Sequence, residues 1–313
     1  MASYLVTGGA GFIGSHIACA LLRQGAFVRV FDNLSTGTHE NLAAVADCGG
    51  TGRLEIMEAD LRDPGKVAQA VEGIQVIFHE AAFVSVPDSI ERPAECFDVN
   101  IMGTSILFEE ARKSGVKRAV VASSAAVYGD ADAVPLREDV PARPLSPYAV
   151  SKLFAEVCGG LYTRTYGLEI ACLRYFNVYG PRQRPDSQYA AVVPIFIHQL
   201  LDGNAATIHG DGGQTRDLIF VGDVVRANLA AAEHPQAAGA VFNVCTGRAT
   251  RVIDLLAALT ELIPGALPPV FVGKRAGDIY ESVGDPARCG AVLGFRAGTS
   301  LAQGLKASVE SWR

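Results

Sequence analysis

YLVTGGAGFIGSH, residues 4–16, is the stretch on which the fold turns. Tyr4 to Thr7 is a short apolar run of strand length. Gly9, Gly11 and Gly14 then match the spacing G-x-G-x-x-G, and Gly8, Gly11 and Gly14 match the looser G-x-x-G-x-x-G. A glycine pattern is weak by itself, and its surroundings strengthen it. A strand feeds the loop, and FIGSHIACALLRQG after it has helical periodicity up to Gly25, a helix stop. In a strand–loop–helix unit, a missing Cβ lets the backbone approach a pyrophosphate, whose charge is met by the N–H groups that open the helix. A phosphate loop ending in Gly-Lys-Ser/Thr is excluded, because no such triplet follows.

Strand-like runs alternate with helix-like ones down the chain: FVRVFD (27–32), LEIMEAD (54–60), QVIFHEA (75–81), RAVVASS (118–124) and EIACLRY (169–175). This βαβ rhythm predicts an α/β fold with a doubly wound parallel sheet. After Tyr175 the rhythm loosens into the loops GPRQRPDSQY and HGDGGQTRD, then resumes with VVRANLAAAE and AVFNVCTG. The expected division is a dinucleotide-binding domain over 1–175 with about 217–246. A smaller substrate-binding lobe is expected over 176–216 and 247–313.

Composition narrows the class. A net charge of -6 without a Lys/Arg run argues against a nucleic-acid or anionic-membrane surface, so an anionic ligand must be held locally. The apolar stretches are too short and interrupted to span a bilayer, and the first residues lack a signal-peptide pattern. Seven scattered cysteines without C-x-x-C fit reduced thiols in a cytoplasm, and neither they nor the histidines form a metal signature.

The second strand ends in Asp32, about twenty residues after the glycine loop, where a carboxylate can accept hydrogen bonds from ribose hydroxyls and repel a 2′-phosphate. That favours NAD over NADP. Alone, Asp32 reads equally as a turn residue in DNLSTG, and Asp60 at the end of the third strand has the same two readings. SPYAVSK sets Tyr148 and Lys152 four residues apart, on one face of a helix. ASSAAVYG sets Ser124 at the carboxyl end of a strand, where open α/β sheets bind ligands. His79 at a strand end reads as a packed residue, and Cys172 and Cys245 as small core residues.

With these pieces the chain resembles the extended short-chain dehydrogenase/reductases, and among them the nucleotide-sugar epimerases of the UDP-galactose 4-epimerase type. The segments TGGAGFIGSH, DNLSTG, AAFVSVP, SSAAVYG, SPYAVSK, LRYFNVYGPRQ, GDGGQTRDLIFVGDVV and RAGD occur in that family's order through nearly the whole chain. The resemblance implies that NAD is lined by Gly8, Gly11, Phe12, Ile13, Asp32, Asn33, Asp60, Leu61, Ala81, Ala82, Asn100, Tyr148, Lys152 and Tyr175. It implies Asn177, Arg216 and Arg275 on a UDP-sugar diphosphate, and Asp278 on the nucleoside ribose. It also implies Ser282 at the far wall of the hexose pocket, with Tyr280 there instead if the loop count slips.

In the chemistry implied, Tyr148 takes the proton of the sugar 4-hydroxyl while C4 gives a hydride to NAD, and Ser124 hydrogen-bonds the same oxygen. A phenol ordinarily titrates near 10, so one that works as a base at neutrality must titrate roughly three pH units lower. That requires about 4 kcal/mol of preferential phenolate stabilisation, supplied by the positive charge of Lys152 and oxidised nicotinamide. Related dehydratases carry an Asp-Glu pair after the Ser/Thr. Here those positions are Ala125 and Ala126, which cannot transfer protons, so epimerisation without elimination is expected. The other readings are a UDP-glucuronate 4-epimerase and, in a different class, an NAD-responsive binding protein, which typically has an incomplete Ser, Tyr, Lys set. The resemblance further implies a homodimer, with Ile101, Ile106, Leu107 and Phe108 on one helix and Leu153, Phe154 and Val157 on another serving core and partner.

Overall fold

The structure is a computed structural model that describes residues 2–131, 134–184, 192–274 and 279–313. Its framework is β1 (Ser3–Thr7), β2 (Phe27–Asp32), β3 (Arg53–Glu58), β4 (Val76–His79), β5 (Arg118–Ser124) and β6 (Glu169–Tyr175). The helices between them are α1 (Phe12–Arg23), α2 (His39–Ala46), α3 (Pro64–Val71), α4 (Val86–Glu91), α5 (Pro93–Phe97), α6 (Thr104–Lys113) and α7 (Pro147–Tyr166). A π-helical stretch, Asp98–Gly103, joins α5 to α6.

All six strands and a seventh, Val241–Val244, form one parallel sheet in the order Val241–Val244, β6, β5, β4, β1, β2, β3. This is the doubly wound arrangement, whose order reverses between β1 and β4 and opens a crevice at the carboxyl ends there. The register aligns those ends: Thr7 lies opposite Phe31 and His79, and Ser124 opposite Tyr175. Two strands are shorter than the runs that announced them. β3 stops at Glu58 and β4 at His79, which leaves Asp60 and Glu80 in the loops over the crevice.

Both sheet faces are covered, which is why β5 is buried along nearly its whole length. Ile17 and Leu21 of α1 and Val224 of the helix Val221–Glu233 pack on Val6 and Val30. On the other face Val67, Leu107, Phe108 and Ala155 meet Leu5, Ile77 and Val121. Leu107 and Phe108 are thus core, each 1% exposed, and neither is available to a partner.

A second core, including Phe196, Ile208, Leu255, Leu259 and Leu305, binds the helices Val192–Leu201, Val252–Leu262 and Leu301–Glu310 into a smaller lobe. Residues 247–313 do not all belong to it. Cys289, Leu293 and Phe295, in and after the helix Ala287–Leu293, return to the sheet and pack with Phe242 and Val244. Among the described residues no helix is long and apolar enough to cross a membrane.

Candidate active site

The loop between β1 and α1 is shaped by close backbone approaches. Gly8 has φ +69, and a Cβ there would lie 2.6 Å from the Ala81 nitrogen; a Cβ on Gly14 would lie 2.2 Å from the Gly8 carbonyl oxygen. Of the two glycine spacings, Gly8, Gly11 and Gly14 is the one that seats α1 against the turn. Gly11 caps α1 without a side-chain hydrogen bond, so the N–H groups of its first turn, Phe12 and Ile13 among them, keep no side-chain acceptor. Uncapped donors at a positive helix end suit an anion.

Asp32 has the turn role its sequence position suggested. One oxygen accepts from Ala10 N at 2.9 Å and the other from Leu34 N at 2.8 Å, so it braces the loop. Each oxygen still has a lone pair for a ribose hydroxyl. Burial pushes the Asp32 carboxyl up, and the two backbone bonds counter that. Asp60 is gripped by Arg62 through two contacts of 2.8 Å and receives Asn33 Nδ2 at 2.8 Å. Those bonds, Arg62's first, hold its carboxyl well below the usual range. The Leu61 side chain is core.

Ala81 and Ala82 follow β4, half-buried. Beneath them His79 bridges Thr7 Oγ1 (2.7 Å) and Thr104 Oγ1 (2.9 Å), and burial lowers its titration to about 3, so it is a neutral strut. Asn100 accepts from Phe83 N at 2.7 Å and donates to Phe83 O and Ser151 Oγ at 3.0 and 2.9 Å. Its amide ties the loop after β4 to α7.

Ser124 ends β5 and starts a 3-10 turn, Ala125–Tyr128, with its hydroxyl accepting from Ala126 N at 3.1 Å. Tyr148 is the second residue of α7. That helix starts here because the Ser146 hydroxyl caps Ala149 N and Pro147 takes the first position, and it ends at Gly167 in the left-handed region. Lys152, one turn on, is 7% exposed; its ammonium donates to Ala122 O at 2.9 Å and lies 5.7 Å from the Tyr148 ring centre. Burial pushes the Tyr148 phenol up to about 12, against a hydrogen bond with Ser124 that pulls it down. Burial pulls Lys152 down to about 8.

Several polar groups around this trio were not singled out from the sequence. Glu80 accepts from Tyr175 Oη at 2.8 Å, and Tyr175 Oη accepts from Asn228 Nδ2 at 2.8 Å. Buried Glu156, one turn after Lys152, takes Ser123 Oγ at 2.6 Å and both arms of Arg174 at 2.8 and 2.7 Å. That cluster connects the residue before Ser124, the residue before Tyr175 and the helix carrying Tyr148. The spacing Lys152 to Glu156 was the available signal, a charged residue on the helix face that also carries the lysine.

Two cavities open beside these groups. One, of about 280 Å³, is lined by Ser124, Ala125, Ala126, Asn177, Arg216 and Ser282, with exposed Glu281 at its edge. The other, of about 440 Å³, runs into the lobe past Phe196, Gln199, His209 and Gln214. Asn177 and Arg216 line both. Asn177 is set by Asp217, whose carbonyl receives its backbone N–H at 3.0 Å and its amide at 3.2 Å. Arg216 sits in a strand paired with Ser282. Tyr280 is exposed, with Lys274 Nζ 5.7 Å from its ring centre, and is not among the residues lining either cavity. Arg275 and Asp278 lie outside the described residues.

A doubly wound sheet with an uncapped glycine loop, a ribose-type aspartate and a Ser, Tyr, Lys cluster defines a dinucleotide-dependent enzyme of hydride-transfer type. Residues 4–245 match the model of the NAD dependent epimerase/dehydratase family, and the chain belongs to that family. It is 40% identical over 311 residues to the UDP-glucose 4-epimerase of Mycolicibacterium smegmatis, covering 99% of this chain and 98% of that one. Among solved structures, the UDP-glucose 4-epimerase of Thermotoga maritima with UDP-glucose superposes with a TM-score of 0.92 at 39% identity, over 99% of this chain and 98% of that chain. The UDP-N-acetylglucosamine 4-epimerase of Methanobrevibacter ruminantium, in complex with UDP-N-acetylmuramic acid, superposes with 0.94 at 34%, with the same coverage.

Proposed function

We propose that the protein epimerises UDP-hexoses at C4 and accepts N-acetylated sugars as well as unsubstituted ones. The observation carrying this reading is the pair of cavities sharing Asn177 and Arg216: a hexose-sized chamber containing Ser124 and a larger chamber in the lobe, with a guanidinium at their junction. A planar guanidinium suits pyrophosphate oxygens. This arrangement supports a sugar end in the smaller chamber and a nucleoside end in the larger one.

The residues of the crevice fit NAD. The uncapped start of α1 at Phe12 and Ile13 would take the pyrophosphate, and Asp32 the adenosine ribose. Asn33, Asp60, Leu61, Ala81, Ala82 and Asn100 supply the braced loops around it. When bound, NAD supplies a reversible hydride acceptor and, in its oxidised form, a positive charge. Tyr148 then takes the proton of the sugar 4-hydroxyl, Ser124 holds that oxygen, and Lys152 supplies positive charge that favours the phenolate. Turning of the 4-keto sugar in the chamber would present its opposite face to the cofactor, and Tyr148 would return the proton to the sugar oxygen. Ala125 and Ala126 beside Ser124 offer no acid or base for eliminating water.

Ser282 lines the hexose chamber and leaves room where an aromatic side chain would close it. Ser282→Tyr is expected to depress turnover of UDP-N-acetylglucosamine by about 10- to 200-fold relative to UDP-glucose, the range that pocket size supplies. Nucleotide-sugar chromatography on a panel that includes UDP-glucuronate tests both the reading and the variant. Failure of the wild type on both N-acetylated sugars removes the broad-specificity part.

The same reading includes a homodimer. Val150, Val157 and Leu161 form an exposed apolar stripe along α7, and Ile90 and Met102 on the neighbouring α4 and π-helical stretch are exposed too. A charge in this stripe would have to be desolvated on association. Val157→Glu is expected to shift the solution mass at micromolar concentration from dimer to monomer; a wild type that is already monomeric contradicts the assignment.

A further inference from the structure

Glu80 is a carboxylate placed deep in the site that the mechanism above does not use. It sits just past β4, and its side chain is anchored through a relay: Val224 O accepts from Asn228 Nδ2 (2.9 Å), which also donates to Tyr175 Oη (2.8 Å), which donates to Glu80 Oε1 (2.8 Å). Tyr175 and Asn228 are both buried, so the relay fixes one carboxylate oxygen. His79 pairs with Val121, so Glu80, the next residue, comes at the level of Ala122, whose carbonyl accepts from the Lys152 ammonium at 2.9 Å. The titratable groups whose charges bear on Glu80, or on which its charge bears, are Lys152 and Tyr148 from α7 and Tyr175 from β6. Lys152 in turn interacts with His79 of β4, Cys96 of α5 and Cys172 of β6.

We propose that Glu80 is a positioning residue: a relay-anchored counter-charge to Lys152 that sets the pH window in which Tyr148 works as a base. The inference rests on the epimerase reading for what Tyr148 does, but its electrostatics do not depend on the sugar. An anion near a phenol makes the phenolate harder to form, and the same anion near an ammonium makes the ammonium easier to keep. Glu80 therefore raises both midpoints. Burial holds Glu80 itself at about 7, so its charge changes near neutrality.

Removing this charge has a signature that general damage to the site would not produce. Glu80→Gln keeps the shape and an oxygen for Tyr175, and it should move both limbs of the pH–rate profile towards acid: the rising limb from Tyr148 and the falling limb from Lys152. The direct readout is the ultraviolet difference titration of the Tyr148 phenolate in the NAD-loaded protein, with Tyr148→Phe as the blank. Its midpoint is expected to fall by about half a pH unit or more in Glu80→Gln. Tyr175→Phe, which removes the hydroxyl that helps keep Glu80 ionised, should shift it in the same direction by less. A Tyr148 midpoint unchanged in a folded Glu80→Gln protein overturns the proposal. If that variant does not fold, an unchanged midpoint in Tyr175→Phe overturns it equally. A shifted midpoint in a protein that epimerises no sugar upholds this inference and removes the proposed function alone.

Discussion

Tyr148→Phe is expected to lower C4 epimerisation by about 10²- to 10⁴-fold, the usual loss for a general base, while fold and NAD content stay unchanged. The substitution removes one oxygen. The ring keeps its packing, the cap at Ser146 and the Tyr148 N–H bond to Ser89 Oγ are untouched, and Lys152 keeps its bond to Ala122 O. The size of the loss follows from how strongly the site resists the phenolate. Burial first, with Cys96 and Glu80 adding to it, pushes the hydroxyl up to about 12, so in the proposed mechanism the positive charges of Lys152 and the cofactor have to bring it down for the proton to move. Steady-state rates with the cofactor content measured in parallel decide this. Turnover close to wild type excludes Tyr148 as the base.

Lys152→Met should be nearly as damaging to activity and should also weaken NAD retention. In the proposed mechanism Lys152 would serve the nicotinamide ribose as well as the phenolate. The variant separates function from stability. The lysine titrates near 8 in the folded protein, below its unfolded value of about 10.4. Between those values the unfolded chain binds more protons, so stability rises with pH through that window, and below about 8 the buried ammonium opposes folding. An apolar Met of similar length removes that cost. Thermal unfolding of the NAD-free proteins at pH 7 is therefore expected to occur no lower in the variant than in wild type, while activity collapses. In the wild type, activity should fall as pH rises past Lys152's titration. Unchanged NAD content and rate in Lys152→Met would show the assigned role to be wrong.

Local pattern made much of this site legible. The glycine loop, Asp32 at the end of β2 and Ser124 at the end of β5 are read from strand ends. Tyr148 and Lys152 are read from one helical turn. What the sequence concealed is carried by contacts between distant segments. Glu80 in FHEAAF looks like a charged residue closing a strand, and its partners arrive from β6 and from the helix Val221–Glu233. Arg174 inside EIACLRY breaks an apolar run for no visible reason until Glu156 and Ser123 meet it in the interior. Leu107 and Phe108 look like a face shared by core and partner, since helical periodicity marks burial without saying against what. The return of Ala287–Leu293 to the sheet was equally silent, because a short apolar helix fits either core.

The central claim, oxidation and reduction at C4 through one retained cofactor, is tested most directly with UDP-glucose carrying deuterium at C4, given to the purified protein without added NAD. The expected result is that UDP-galactose forms, that its C4 keeps the deuterium in ordinary water, and that the rate falls relative to unlabelled substrate where hydride transfer limits turnover. Conversion with loss of the label to solvent, or with release of a dehydrated sugar, would contradict it.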